Sequence, residues 1–209
     1  MNRNKWLVKL FLGFVKFTGL PGAWLLLKPK VRVAAGAKRR LPKNCILVCN
    51  HISLMDFVLL TLCFPARTIR FLVAEVLYNR AKLLAIFLNL IGSIRVERDI
   101  KDFGFVSNAL EHLDDGGILG VFPQGRLPLK GQKFPFTVST AFIAMHTDAP
   151  IVPVYTDGNY GLFKRAGLVI GPEIYLKDFC QEGLDEQAQL AHLTKILEEK
   201  VFALKEELK

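Results

Sequence analysis

The chain has 209 residues, which suits one well-buried α/β domain and is short for two. Apolar residues make up 51% and the net charge is +9, but the charge is unevenly placed: residues 1–55 hold eleven Lys or Arg and no acid, while the remainder carries 17 basic and 19 acidic residues. An evenly basic nucleic-acid-binding domain is therefore a poor fit, and the apolar content of the basic arm points instead to an anionic membrane surface.

In that arm Trp6, Leu7, Leu10, Phe11, Leu12, Phe14, Val15 and Phe17 surround Lys5, Lys9 and Lys16, whose spacing sets the charges on one helical stripe. The pattern predicts a helix in the membrane interface, with lysines toward headgroups and aromatic residues toward acyl chains. Pro21-Gly22 is expected to interrupt it. A spanning helix is disfavoured, because the longest charge-free apolar stretch, residues 17–27, has 11 residues against the roughly 20 required. Ala35-Gly36-Ala37 looks like a signal-peptidase site, but Lys28, Lys30 and Arg32 lie where an uncharged segment belongs. The run Lys38-Arg39-Arg40 has no nucleic-acid recognition module beside it and reads as a solvated or membrane-facing surface. The expected organisation is a membrane-associating helical segment over residues 1–40 and an α/β domain over 41–209. It would sit on the cytoplasmic face of the membrane, interfacial rather than spanning.

Beyond the arm, apolar β-rich runs near 45–50, 70–75, 93–98, 118–123, 151–156 and 168–174 alternate with helical patterns near 54–64, 78–89, 102–114 and 136–147. This alternation predicts a mainly parallel sheet covered by helices. The first strand leads into Asn50-His51-Ile52-Ser53-Leu54-Met55-Asp56. A five-residue spacing fits a strand-to-helix junction better than a continuous helix, and it would let Asp56 accept Nδ1–H of His51 and leave Nε2 free as a base. Taken alone the pair is weak. With 4 histidines in 209 residues, His-x4-Asp arises by chance in roughly one such chain in six, and a structural histidine is the simpler reading.

In Gly92-Ser93-Ile94-Arg95-Val96-Glu97-Arg98 the period-two pattern puts Arg98 at the end of an apolar face. Its guanidinium either meets an anionic ligand or pairs with Asp99 or Asp102. Val121-Phe122-Pro123-Gln124-Gly125-Arg126 ends a strand and turns, placing Arg126 at a second strand end, although an ordinary β-turn would do the same. Pro150-Ile151-Val152-Pro153 carries a proline expected at an edge, bulge or strand start. Cys45, Cys49, Cys63 and Cys180 lack zinc-ligand spacing and read as buried free thiols of a reducing compartment; no metal site is expected. From residue 185 to 208, leucine and valine at three- and four-residue steps predict an amphipathic helix packed on the domain.

These segments, in this order, resemble the four blocks of the glycerolipid acyltransferase family, of the 1-acylglycerol-3-phosphate O-acyltransferase type. The resemblance runs from about residue 45 to 157. It implies that His51 is the catalytic base and Asp56 its orienter, that Arg98, Gln124, Gly125 and Arg126 bind the acceptor phosphate, and that Val152 and Pro153 shape the acyl pocket. It also implies acyl transfer from acyl-CoA or acyl carrier protein to a lysophospholipid hydroxyl, without metal or other cofactor. Backbone N–H groups near the helix start would stabilise the oxyanion. The family usually carries glutamate where this chain has Gln124, so the acceptor could be another lysophospholipid or an aminolipid, or the protein a silent lipid-binding relative.

Overall fold

The computed structural model describes residues 2–96, 104–128, 132, 134–161 and 163–208, with side chains described from residue 10 onward except Leu12. Among them, seven strands form one sheet: β1 (Lys30–Val33), β2 (Cys45–Cys49), β3 (Ile69–Ala74), β4 (Ile94–Val96), β5 (Ile118–Val121), β6 (Ile151–Thr156) and β7 (Gly167–Ile170). Their order is β1-β7-β6-β2-β5-β3-β4, and every neighbouring pair is parallel except β6 with β7. The helices are α1 (Asn2–Leu27), α2 (Met55–Cys63), α3 (Glu75–Arg80), α4 (Lys82–Leu90), α5 (Gly104–Asp114), α6 (Ser139–Met145) and α7 (Glu186–Ala203).

Helices cover both faces of the sheet, which is why its central strands are apolar at every position. In β2, Cys45, Leu47 and Cys49 pack with Leu27 of α1 and Leu59, Leu60 and Cys63 of α2. Ile46 and Val48 point the other way, toward Leu113 of α5, Ile143 of α6 and Leu197 of α7. The expected C-terminal helix thus packs on the domain through Leu193, Leu197 and Val201, and Asp185 caps it by accepting from the Ala188 N–H at 2.7 Å.

The strand β1 escapes the sequence pattern. It lies N-terminal to residue 41 and joins the sheet edge, pairing parallel with β7. Its alternation of Lys30 and Arg32 with Val31 and Val33 is that of an edge strand whose charges discourage pairing with other chains. The proline of β6, expected at an edge, bulge or strand start, lies inside a central strand next to a bulge: Pro153 still faces Gly171, whose N–H its carbonyl accepts, and the register with the opposing chain shifts by one residue only at Ile151↔Ile174.

Two expectations about helices are corrected. Pro21 does not interrupt the N-terminal helix; α1 runs through it to Leu27. Pro21 offers no N–H to the Phe17 carbonyl, but both residues are exposed, so the lost bond falls outside the packed face. The helix ends instead at Lys28, whose φ of 42° is left-handed, followed by Pro29. The stretch expected as one helix over 78–89 is two, α3 and α4, because the backbone extends at Ala81 (φ −159°, ψ 136°).

At Lys16, α1 also differs from expectation. Lys16 does not face outward: its half-buried Nζ donates to the carbonyls of Pro65 (2.9 Å) and Arg67 (2.5 Å), just beyond α2. Burial lowers its pKa. Leu10, Phe14, Phe17, Trp24 and Leu25 are exposed large apolar side chains of this helix. No helix among the described residues is long and apolar enough to cross a membrane.

Candidate active site

The sheet changes winding direction between β2 and β5. From β2 the chain crosses through α2 to β3, beyond β5; from β5 it crosses through α6 to β6, beyond β2. The loops after β2 and β5 therefore diverge, and the crevice between them is where open α/β sheets bind ligands. The β2 loop carries His51 and the β5 loop carries Phe122 to Arg126.

His51 and Asp56 meet as expected. Nδ1 of His51 lies 2.8 Å from Oδ2 of Asp56, and the imidazole is 15% exposed while the carboxylate is completely buried. That carboxylate also accepts the N–H groups of Ile52 (2.6 Å) and Ser53 (2.8 Å) at the same oxygen. These bonds fold the six-residue junction around the charge, so the spacing that is awkward on a helix is natural here. They also narrow one expectation: the N–H groups of Ile52 and Ser53, just before α2, are taken up by Asp56 and not left for an oxyanion. Met55 N–H is likewise taken by Ser53 Oγ, and Asp56 N–H by the Ser53 carbonyl.

The imidazole plane is fixed by stacking on Phe122, with centroids 4.3 Å apart and planes at 19°. Phe71 continues the stack beyond Phe122 at 5.7 Å. Gln124 holds the same histidine from its backbone side, Oε1 accepting the His51 N–H at 2.9 Å. This is a contact within the scaffold, beside the acceptor-binding role that the resemblance implied. A glutamate could accept the same bond, so the substitution leaves the fold of the loop intact and removes one negative charge beside the base. Gly125, at φ 65°, closes the turn by donating its N–H to the Phe122 carbonyl (2.9 Å), a conformation that costs glycine nothing.

Arg126 then emerges at the rim, exposed, with its guanidinium 4.9 Å from the Phe134 ring centre. His51 and Arg126 line one cavity of about 420 Å³ whose other walls are apolar, among them Phe57, Phe71, Leu77, Leu84 and Leu88. Its size and lining are those of a small-molecule site. Arg98 lies outside the described residues. Val152 and Pro153 are not brought to this cavity: both are buried in β6, Val152 in the core cluster under α2. The apolar wall comes from β3 and the α3–α4 pair, which no sequence motif marks.

Two further features were not legible. Asn50 clamps the backbone of Thr156, its Oδ1 accepting the N–H at 2.8 Å and its Nδ2 donating to the carbonyl at 2.9 Å, which ties β2 to β6 beside the histidine. Tyr160 donates its hydroxyl to Oδ1 of Asp56. Its phenol is pushed well up, first by burial and then by the Asp56 charge, so it stays a donor. The position of Asn50 next to His51 was the only hint; Tyr160, 104 residues from Asp56, had none. Of the cysteines, Cys45, Cys49 and Cys63 are buried and free as expected, whereas Cys180 is exposed.

Known proteins share this arrangement of sequence and fold. Residues 30–157 match the sequence model of the Acyltransferase family. A 1-acyl-sn-glycerol-3-phosphate acyltransferase of Cocos nucifera is 26% identical over 162 residues, covering 74% of this chain and 51% of that protein. The chain thus spans about half the length of this relative. Its backbone also resembles the crystal structure of the 1-acyl-sn-glycerophosphate (LPA) acyltransferase PlsC from Thermotoga maritima, with a TM-score of 0.65 and 23% identity over 98% of this chain and 84% of the other. That likeness concerns the fold, an α/β sheet flanked by helices. The family match takes in well over half of the chain and contains His51, Asp56 and the loop from Gln124 to Arg126, and the chain therefore belongs to the Acyltransferase family.

Proposed function

We propose that this protein transfers a fatty acyl group from an acyl thioester, acyl-CoA or acyl carrier protein, to the free hydroxyl of 1-acylglycerol-3-phosphate, giving phosphatidic acid. The observation that carries this reading is His51, fixed through Nδ1 to a buried carboxylate at the wall of an apolar cavity that Arg126 also lines. Nε2 is left to take the acceptor hydroxyl proton as the oxygen attacks the thioester carbonyl. The tetrahedral intermediate collapses by breaking the C–S bond, and the imidazolium returns its proton to the departing sulfur. Asp56 stabilises the imidazolium meanwhile and stays ionised. Arg126 takes the acceptor phosphate at the rim, where a guanidinium fork suits phosphate oxygens. An acyl chain occupies the cavity between β3 and the α3–α4 pair, and not the neighbourhood of Val152 and Pro153. No metal or other cofactor takes part.

In the same reading the protein sits on the cytoplasmic surface of an anionic membrane without spanning it. Support comes from Phe14, Phe17 and Trp24 on the outer side of α1 and from Leu83 and Ile86 on the outer side of α4, all exposed. The basic N-terminal arm supplies the attraction to anionic headgroups.

The test is purified full-length protein with acyl-CoA and with acyl carrier protein thioester, offered a panel of lysophospholipids and an aminolipid, with products weighed by mass spectrometry. Phosphatidic acid formed by wild type and absent with folded His51→Ala supports the reading. Undiminished transfer by His51→Ala overturns the mechanism, preference for another headgroup overturns the acceptor, and no transfer with any pair identifies a lipid-binding relative.

A further inference from the structure

The loop between β6 and β7 closes over the histidine–aspartate junction from the far side of the active-site crevice. Gly158, at φ 66°, lies so close to Ile52 that a Cβ there would sit 2.7 Å from Ile52 Cγ2. Asn50 fixes the start of this loop through both backbone groups of Thr156. Tyr160 is thereby brought to the one oxygen of Asp56 that His51, Ile52 and Ser53 leave free.

The donors run in one direction. Gly158 N–H points to Thr156 Oγ1 at 3.3 Å, Thr156 Oγ1 lies 3.1 Å from the Tyr160 hydroxyl, and that hydroxyl donates to Oδ1 of Asp56. A hydroxyl that accepts while it donates is a stronger donor. We infer that Tyr160 is a positioning residue of the proton-transfer unit: by holding Oδ1 it fixes the rotation of the Asp56 carboxylate and limits the negative charge that Asp56 presents to His51. Tyr160 lies outside the stretch 30–157 that matches the family, so this contact is supplied by the chain beyond the shared blocks.

The consequence is directional. Without the phenol, Oδ1 loses its donor in a fully buried site, more charge falls on the bond to Nδ1, and His51 binds its proton more tightly. The other ionisable groups near the pair do not mask this. Cys49 of β2 is buried and its thiol is pushed well up, and Cys63 of α2 is raised to about 12.

The inference rests on His51 as the base, and its test separates the two. The imidazole of His51 is titrated by NMR in wild type, Tyr160→Phe and Thr156→Val, with His51→Gln assigning its signals among the four histidines. Tyr160→Phe is expected to raise the His51 pKa by about half a unit to one unit, and Thr156→Val to raise it less. In turnover the acidic limb of kcat/KM moves up with it, and kcat near neutral pH falls about three- to ten-fold with KM for both substrates unchanged. An unchanged His51 titration in both variants overturns the inference, as does a change confined to KM, which would make Tyr160 an acceptor contact. Should Tyr160→Phe not fold, the Thr156→Val titration decides by the same criterion. Full activity in His51→Ala instead overturns the reading of the base and leaves the titration result standing.

Discussion

Replacing Asp56 by asparagine separates the charge of this residue from its shape. Oδ2 accepts three N–H donors, from His51, Ile52 and Ser53, whereas Oδ1 accepts a single hydroxyl, that of Tyr160. An asparagine can therefore keep its oxygen toward the three N–H groups and turn its amide toward Tyr160, whose hydroxyl accepts as readily as it donates. The fold and the His51 tautomer survive, and what is lost is the attraction between the carboxylate and the imidazolium. For charges about 4 Å apart at an effective dielectric of about 20 this attraction is about 4 kcal/mol, or roughly a thousand-fold in rate. The expected result for Asp56→Asn is a drop of that order in kcat with little change in KM or Tm, and an acidic limb moved to lower pH because His51 loses its counter-charge. Asp56→Ala behaves differently: it leaves the Ile52 and Ser53 N–H groups without their acceptor, costing about 4 kcal/mol and roughly 8–16 °C in Tm. Adding Asp56→Asn to His51→Ala should cost nothing more, since the two act as one unit. Activity of Asp56→Asn within ten-fold of wild type, or additive losses in the double variant, would refute the reasoning.

Gln124→Glu keeps the bond from His51 N–H while restoring a negative charge beside the base, so its acidic limb should move up and its ranking of lysophospholipid headgroups should change; identical rates and preferences on a lysolipid panel would show that the charge is immaterial. Leu84→Trp reduces the cavity that Leu84 lines, and losing room for two methylenes should cost long-chain donors about 1.6 kcal/mol, roughly fifteen-fold in kcat/KM against shorter ones. An unchanged chain-length profile would place the acyl chain elsewhere. Phe14→Ser with Phe17→Ser removes two exposed rings and should weaken binding to anionic vesicles by about 3 kcal/mol, some 150-fold, in a co-sedimentation assay; equal binding would clear α1 of membrane contact. A thiol reagent should modify Cys180 at once in the native protein and reach Cys45, Cys49 and Cys63 only on unfolding, since burial holds the thiols of Cys45 and Cys63 up near pKa 12; rapid loss of more than one thiol, counted by mass, would contradict the packing.

The parts of the site legible in sequence are those whose chemistry is local. His51 and Asp56 lie on one junction, and the Phe122 to Arg126 turn follows its strand directly, so strand ends and turn residues predict both. The sheet was legible for a similar reason: buried parallel strands are continuous apolar runs. β1 was not, because an edge strand with alternating lysine, arginine and valine looks like a charged linker. The break at Ala81 was invisible since alanine is a good helix former and neither Arg80 nor Lys82 beside it marks a stop. The apolar wall of the cavity could not be read from Val152 and Pro153 because a period-two strand says which residues share a face, not which face meets a cavity. Tyr160 depends on a tertiary contact across the crevice, and no local pattern records one.

The orientation of α1 bears on how the site meets a lipid. The lysines were expected toward headgroups and the aromatic residues toward acyl chains, yet Lys16 is turned inward to two carbonyls after α2 while Phe17 beside it is 84% exposed. An inward lysine fixes the rotation of α1 through directional bonds, which apolar packing alone would not do. That rotation commits Phe14 and Trp24 to the outside. α4 is built the same way from leucines: Leu84 and Leu88 line the cavity, and Leu83 and Ile86 on the opposite side are exposed. A helix apolar on both sides is stable where both sides meet apolar material. In the proposed membrane-bound state the two sides are an acyl chain within the cavity and the bilayer outside it, and the leucines of α4 face both.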